Sequence, residues 1–285
     1  MVSPNRGRDG TMELDCRFVA DEDLSDAFEE IDCDMQAGGG TRSVLGRVAA
    51  IIDAFDEANQ LLTLNDLTHR TDLPKSTVHR LAEQLRGLGW LEREGIGYRV
   101  GMRLFEVGGL ATRRSKLCDK AFPHLHALAT KTGLAVQLAI LDGDEVIYLE
   151  RIPGSGFTLP TRAGGRMPAY CTGLGKAMLA FDDAAVDLVI QRGFTRRTPH
   201  TIVTPDALHD EMHQIRLSGL AIDRQEAYMG LACVAAPIRN SGRAVAAVSV
   251  TGPASVVNFD VLAADVRTVA AAIWKDRFPS MYRQY

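Results

Sequence analysis

Five polar side chains open the amphipathic stretch "LPKSTVHRLAEQLRGLGWLEREGIGYRV" (Leu73–Val100): Lys75, Ser76, Thr77, His79 and Arg80. A lysine, two hydroxyls, an imidazole and a guanidinium are donors of the kinds that phosphate oxygens and base edges accept. Taken alone, they also suit a solvated helix face. Three other groupings hint at chemistry and fall short on spacing. In "HDEMH" (His209–His213) two histidines stand four apart, but Glu211 lies midway, where no zinc-protease pattern places its general base. "GLGKA" (Gly173–Ala177) lacks the earlier glycine of a phosphate loop, and Ala177 stands where a hydroxyl would meet magnesium. Cys171 and Cys233 have no base defined by the sequence and read as structural or pocket-lining thiols. No catalytic residue, metal site or cofactor is expected, and an appended hydrolase using either thiol is the weaker reading.

The elements that would position the first group follow from periodicity. Val44, Val48, Ile51, Ile52 and Phe55 recur at helical spacing behind Ser43, which predicts a helix over 43–57 with a serine N-cap. "TLNDLTHRTDLP" predicts a short second helix with Leu64, Leu67 and Thr68 inward, then a turn at Thr71 and Asp72. Pro74 suits the first position of a third helix, whose buried stripe is Val78, Leu81, Leu85 and Leu88. "WLERE" and "YRV" around "GIG" predict a hairpin. Three helices and a hairpin in this space make a winged helix-turn-helix.

The chain continues with two helical stretches, "MRLFEVGGLATRRSK" and "CDKAFPHLHALATKTG", and a hairpin, "AVQLAILDGDEVIYLERI". Three further helices, three strands and a closing helix follow, a mix that predicts an α+β domain. With 285 residues, 46% of them apolar, there is material for two cores. The net charge of −4 misleads about partners: acids crowd the first forty positions, whereas Arg70, Lys75, Arg80 and Arg86 share a stretch with only Asp72 and Glu83. Five scattered cysteines and no Cys-x-x-Cys argue for reduced thiols. Without a long apolar run or a secretory signal, a cytoplasmic protein with no membrane partner is expected.

On these residues the chain resembles the IclR family of bacterial transcription regulators. "LTLNDLTHRTDLPKSTVHRL", "LGWLER" and "YRVGMRLFEVG" are similar to its DNA-binding half. "LDGDEVIYLER", "CTGLGKAMLAF", "RTPHTI", "ACVAAPIRN" and "VSVTGP" resemble its effector-binding half in order, so the likeness runs from Ser43 to Phe278. The family commonly has glycine where Asp72 stands, and the first forty residues have no counterpart. Little periodicity, a block of acids and a closing "AGGG" predict an acidic mobile extension at 1–40, and the resemblance implies a winged helix-turn-helix DNA-binding domain at 41–101. It also implies a linker helix at 102–117 and a GAF-like α+β effector-binding domain at 118–280. A homodimer or homotetramer on double-stranded operator DNA is implied, with a small-molecule effector. A recognition helix presents its N-terminal residues to the major groove. Arg80 is then the candidate for guanine, Lys75, Ser76 and Thr77 for phosphate, His79 for either, and Arg99 in the wing for the backbone. The effector residues implied are Gly173, Leu174, Asp223, Cys233, Ser249 and Thr251, with the N–H groups at 173–175 suited to a carboxylate.

Overall fold

The computed structural model describes residues 43–56, 59–113, 116–239 and 242–277. They fall into two compact units that part between Arg103 and Leu104. The acidic stretch at 1–40 lies outside the described residues.

In the first unit the Ser43 hydroxyl accepts the Gly46 N–H at 2.9 Å and caps α1 (Val44–Asp53) as expected. The helix stops short of the predicted end because the Phe55 N–H turns back to the Ile52 carbonyl, tightening the last turn. Thr63 and Asp66 form a reciprocal capping box at the start of α2 (Leu64–Thr71). Asp72 then takes the left-handed conformation (φ 53°, ψ 27°) that the turn demands. Pro74 precedes α3 (Lys75–Gly87) as its N-cap, one residue outside the predicted place, and its carbonyl accepts the N–H groups of Thr77 and Val78.

Val78, Leu81 and Leu85 are buried with Ile51, Leu67 and Leu91 in one core. Leu88 is not: α3 ends before it, and it is 64% exposed. The wing is β2 (Leu91–Glu94) paired with β3 (Gly97–Val100). A two-residue strand, β1 (Leu62–Thr63), pairs with the other side of β3 and was not foreseen, being too short to show alternation. Gly97 eases that pairing, since a Cβ would lie 2.9 Å from the Leu61 side chain and 3.2 Å from the Leu62 carbonyl oxygen. From Met102 to Arg113 runs α4, with Met102, Phe105 and Leu110 exposed.

The second unit is a six-stranded antiparallel sheet between two helical layers. Its strands are β4 (Ala135–Asp142), β5 (Glu145–Ile152), β6 (Arg166–Pro168), β7 (Ala221–Arg224), β8 (Leu231–Ile238) and β9 (Ala246–Pro253). Their spatial order is β6-β5-β4-β9-β8-β7. Alternation divides the side chains. Val136, Leu138, Val234, Val248 and Val250 pack against α5 (Lys116–Thr132) and α9 (Phe259–Arg277). A hydrogen bond between His124 and Asp276 and the ion pair Lys131–Asp265 tie those two helices together. Ala139, Ala235 and Ala247 face the opposite layer, which contains α6 (Gly173–Leu179), α7 (Asp183–Arg192) and α8 (Pro205–Ser218). Among the described residues no helix is long and apolar enough to cross a membrane.

The left-handed turn at Asp72 is testable. A β-branched side chain meets the backbone in that conformation, at about 1–2 kcal/mol. Asp72→Val therefore lowers the stability of the first unit by that amount, read by urea unfolding at Trp90, whereas Asp72→Gly keeps or raises it.

Candidate functional site

The start of α3 gathers Lys75, Ser76, His79 and Arg80 on an exposed face, with Thr77 half-buried beside them. Other cations of this unit are engaged. Arg70 bonds Asp56 and the Ala54 carbonyl, and Arg86 meets Glu83 at 2.9 Å. Glu83 also accepts the Tyr98 hydroxyl at 2.9 Å, so the acid of α3 is committed to the wing. Arg99, nominated for the DNA backbone, is held on β3 by Glu92 at 2.9 Å and Glu94 at 3.0 Å. No hydrogen bond or ion pair among the described residues holds the side chain of Lys75, His79 or Arg80, so their donors face solvent.

In the second unit Gly173, Leu174, Asp223, Cys233, Ser249 and Thr251 all line one cavity of about 390 Å³, its open mouth included. Strand register explains why. Asp223 pairs with Cys233 and Cys233 with Thr251 across β7, β8 and β9, and Ser249 lies two residues from Thr251 on the same face, opposite Gln137 of β4. Gln137, Tyr148, Thr161 and Tyr228 also line the cavity and were not nominated. The signal for Gln137 was a lone polar residue inside the apolar strand "AVQLAIL", out of phase with Val136 and Leu138. Gln137 donates to the Thr161 hydroxyl at 2.6 Å and accepts from that of Thr251 at 3.2 Å. The Ser249 hydroxyl, fully buried, has no hydrogen-bond partner among the described residues.

Close packing accounts for the glycines of "GLGKA". A Cβ on Gly173 would lie 2.4 Å from the Cys233 sulfur, and one on Gly175 would lie 2.2 Å from the Ala169 carbonyl oxygen. The helix start is also less open to an anion than expected. The Thr172 hydroxyl accepts the Gly175 N–H at 3.1 Å. Burial pushes the Cys171 and Cys233 thiols up to about 12, so both stay protonated at neutral pH.

Beneath the cavity lies a group the sequence did not reveal. Lys176, 0% exposed, donates to both Glu226 carboxylate oxygens at 2.6 and 2.8 Å, to Glu211 at 2.8 Å and to the Ile222 carbonyl at 2.7 Å. Burial alone would pull its pKa down; Glu226 and Glu211 outweigh that and keep the ammonium charged. Glu211 is the central acid of "HDEMH", turned inward while His209 and His213 face solvent. The two threonines of "RTPHTI" secure the neighbouring turn: Thr198 donates to the Gln225 carbonyl at 2.7 Å and Thr201 to that of Glu226 at 2.8 Å. They hold Gln225 at φ 66°.

A winged helix-turn-helix with a free cationic recognition face, joined to an α+β domain with a polar-lined cavity, has the make-up of a transcriptional regulator with a DNA-binding and an effector domain. The chain belongs to the IclR family. Residues 44–95 match the IclR helix-turn-helix domain, and residues 110–275 match the C-terminal domain of bacterial IclR transcriptional regulators. The HTH-type transcriptional regulator XynR of Escherichia coli K12 is 34% identical over 211 residues, 72% of this chain and 84% of that one. An IclR homologue of Microbacterium hydrocarbonoxydans, solved with 4-hydroxybenzoate, is 29% identical with a TM-score of 0.75, over 84% of this chain and 100% of that one. The IclR structure of Thermotoga maritima is 26% identical with a TM-score of 0.67, over 82% and 98%.

Removing one partner of a buried ion pair leaves an uncompensated charge and costs roughly 3–5 kcal/mol. Lys176→Met therefore destabilises the second unit by about that much, while Lys176→Met combined with Glu226→Met loses less than the sum of the two single changes. Urea unfolding read at Trp274 measures both.

Proposed function

We propose that this regulator binds operator DNA as a symmetric oligomer through α3, and that a small carboxylate in the cavity changes its affinity for the operator. The observation that carries the DNA half is the sorting of charges in the winged helix. Lys75, His79 and Arg80 are left without carboxylate partners where a recognition helix meets the groove, and Arg70, Arg86 and Arg99 are paired elsewhere. Arg80 reads guanine through its two-pronged guanidinium, and Lys75, Ser76 and Thr77 fix register on phosphate. Arg99 reaches the backbone only if phosphate displaces Glu92 and Glu94.

The exposed stripe of Met102, Phe105 and Leu110 on α4 suits a second copy of the chain, which supports a dimer and, through further contacts, a tetramer. In this reading 41–101 binds DNA, 102–117 is the linker, and 118–280 is the GAF-like effector domain, all working in the cytoplasm. The effector half rests on the buried, unpartnered Ser249 hydroxyl in the cavity wall and on the carboxylate bound by the Microbacterium homologue. The protonated thiols of Cys171 and Cys233 favour binding over nucleophilic chemistry.

Anisotropy titrations on DNA from upstream of the protein's own gene, at several salt concentrations, test the recognition helix. Arg80→Ala weakens specific binding by about 1–3 kcal/mol and relaxes preference at one base pair per half-site. Lys75→Ala weakens binding to all sequences and flattens the salt dependence. Unchanged affinity in both variants overturns the assignment.

Leu174 is 2% exposed in the cavity wall. Leu174→Trp fills the space, so an operator complex that shifts with 4-hydroxybenzoate or a related carboxylate in the parent no longer does so in the variant. A melting temperature close to the parent's verifies that the variant is folded.

A further inference from the structure

We propose that Asp223 carries a proton when a carboxylate occupies the cavity and donates its O–H to that ligand, so that binding draws one proton from solvent. The inference rests on the carboxylate reading above and adds a property of the same site.

Among the described residues that line the cavity there is no lysine, arginine or histidine; the titratable side chains are Asp223, Tyr148, Tyr228 and Cys233. A carboxylate entering here meets no cation and faces a carboxyl group. The cation that acts on Asp223 is already engaged. Lys176 has three N–H donors, and the carboxylates of Glu226 and Glu211 and the Ile222 carbonyl already occupy them. It has no donor left for Asp223 or the ligand, and its charge is already shared between two carboxylates. The cluster already holds two acids for one base, and an ionised Asp223 beside a ligand anion would put two further like charges in a buried site. Such a pair shares a proton rather than ionising twice.

The groups that face Asp223 from each element are consistent with this. Glu226 in the following turn raises its pKa, and the amide N–H of Glu226, donating at 2.6 Å, lowers it. The Ala227 amide and Lys176 on α6 also lower it. The buried thiols of Cys233 on β8 and Cys171 ahead of α6, and the Tyr148 phenol on β5, lie near enough to feel its charge and stay neutral. Glu211 on α8 adds negative charge behind Lys176, and Arg197 stands over the Tyr228 ring at 5.5 Å. Burial is the largest influence and pushes Asp223 up to about 7. A ligand anion in the same wall pushes it further toward the neutral acid. The buried Ser249 hydroxyl supplies a second donor in the same wall.

The proton balance is simple: ligand anion and one solvent proton enter together, the proton bonds to the Asp223 carboxylate, and no other bond is made or broken. Above neutrality, affinity therefore falls by up to about tenfold per pH unit. Titration calorimetry on the full chain with 4-hydroxybenzoate, benzoate and short aliphatic monocarboxylates counts the protons when each pH is measured in two buffers of different ionisation enthalpy that both titrate there. The expected result is uptake near one per ligand at about pH 8 and near zero at about pH 5.5. In Asp223→Asn, whose amide donates without titrating, the expected result is a flat pH profile with no uptake. Carboxylate binding without uptake near pH 8, or a pH slope that survives in Asp223→Asn, overturns the inference and leaves the effector reading intact. Absence of binding by every carboxylate at both pH values overturns the carboxylate reading, and the inference with it.

Discussion

The buried ammonium of Lys176 is the constraint around which the second unit is arranged. An ammonium removed from water is tolerated only when every donor finds an acceptor of matching charge or polarity. Three separate segments supply the acceptors: the turn after β7 through Glu226, β7 itself through Ile222, and α8 through Glu211. None of these lies close in sequence to Lys176, so the requirement for charge satisfaction fixes long-range placement. The seven residues of α6 are all buried, and this short helix could not be anchored there by its own hydrogen bonds.

The cavity wall inherits its shape from that anchor. Glycines at 173 and 175 let α6 approach β8 and the 3-10 turn Ala169–Cys171 within distances that any side chain would block. On the other side, the hydroxyls of Thr198 and Thr201 grip consecutive carbonyls at Gln225 and Glu226, which places Asp223 and Tyr228 on opposite sides of a fixed bend. A ligand bound as proposed would meet a surface ordered before it arrives, which lowers the entropy lost on binding. The first unit uses charge in the opposite way: its acids neutralise the cations away from the start of α3 and leave that face for solvent or phosphate.

Features that arise from neighbouring residues could be read directly. The Ser43 cap, the turn at Thr71 and Asp72, the hairpin around Gly95 and the α+β succession depend on local chemistry or on period, and both are visible in one chain. The six effector candidates came from resemblance to a family, and the structure gathers them on one cavity because the strands alternate. Leu88 was misplaced because the helical period continues in the letters after the helix has ended. β1 is two residues long and carries no pattern. Lys176 looked like part of an incomplete phosphate loop and Glu211 like part of an incomplete metal motif. Their meaning lies in each other, across thirty-five positions of chain, and no local rule joins them.

The two outermost strands of the large sheet differ from those inside. β6 has three residues, begins with Arg166, which is paired with Asp142 and Glu145, and ends in Pro168, which has no N–H to offer. β7 has four, and the left-handed Gln225 bends the chain away directly after Arg224. Both outermost strands are therefore short templates for a passing strand, and each is flanked by charge or a bend. The same bend that sets the cavity wall thus protects the sheet from growing by accretion. A sequence change that relaxed Gln225 into an extended conformation would lengthen β7, loosen the wall, and open a template for aggregation in the same step.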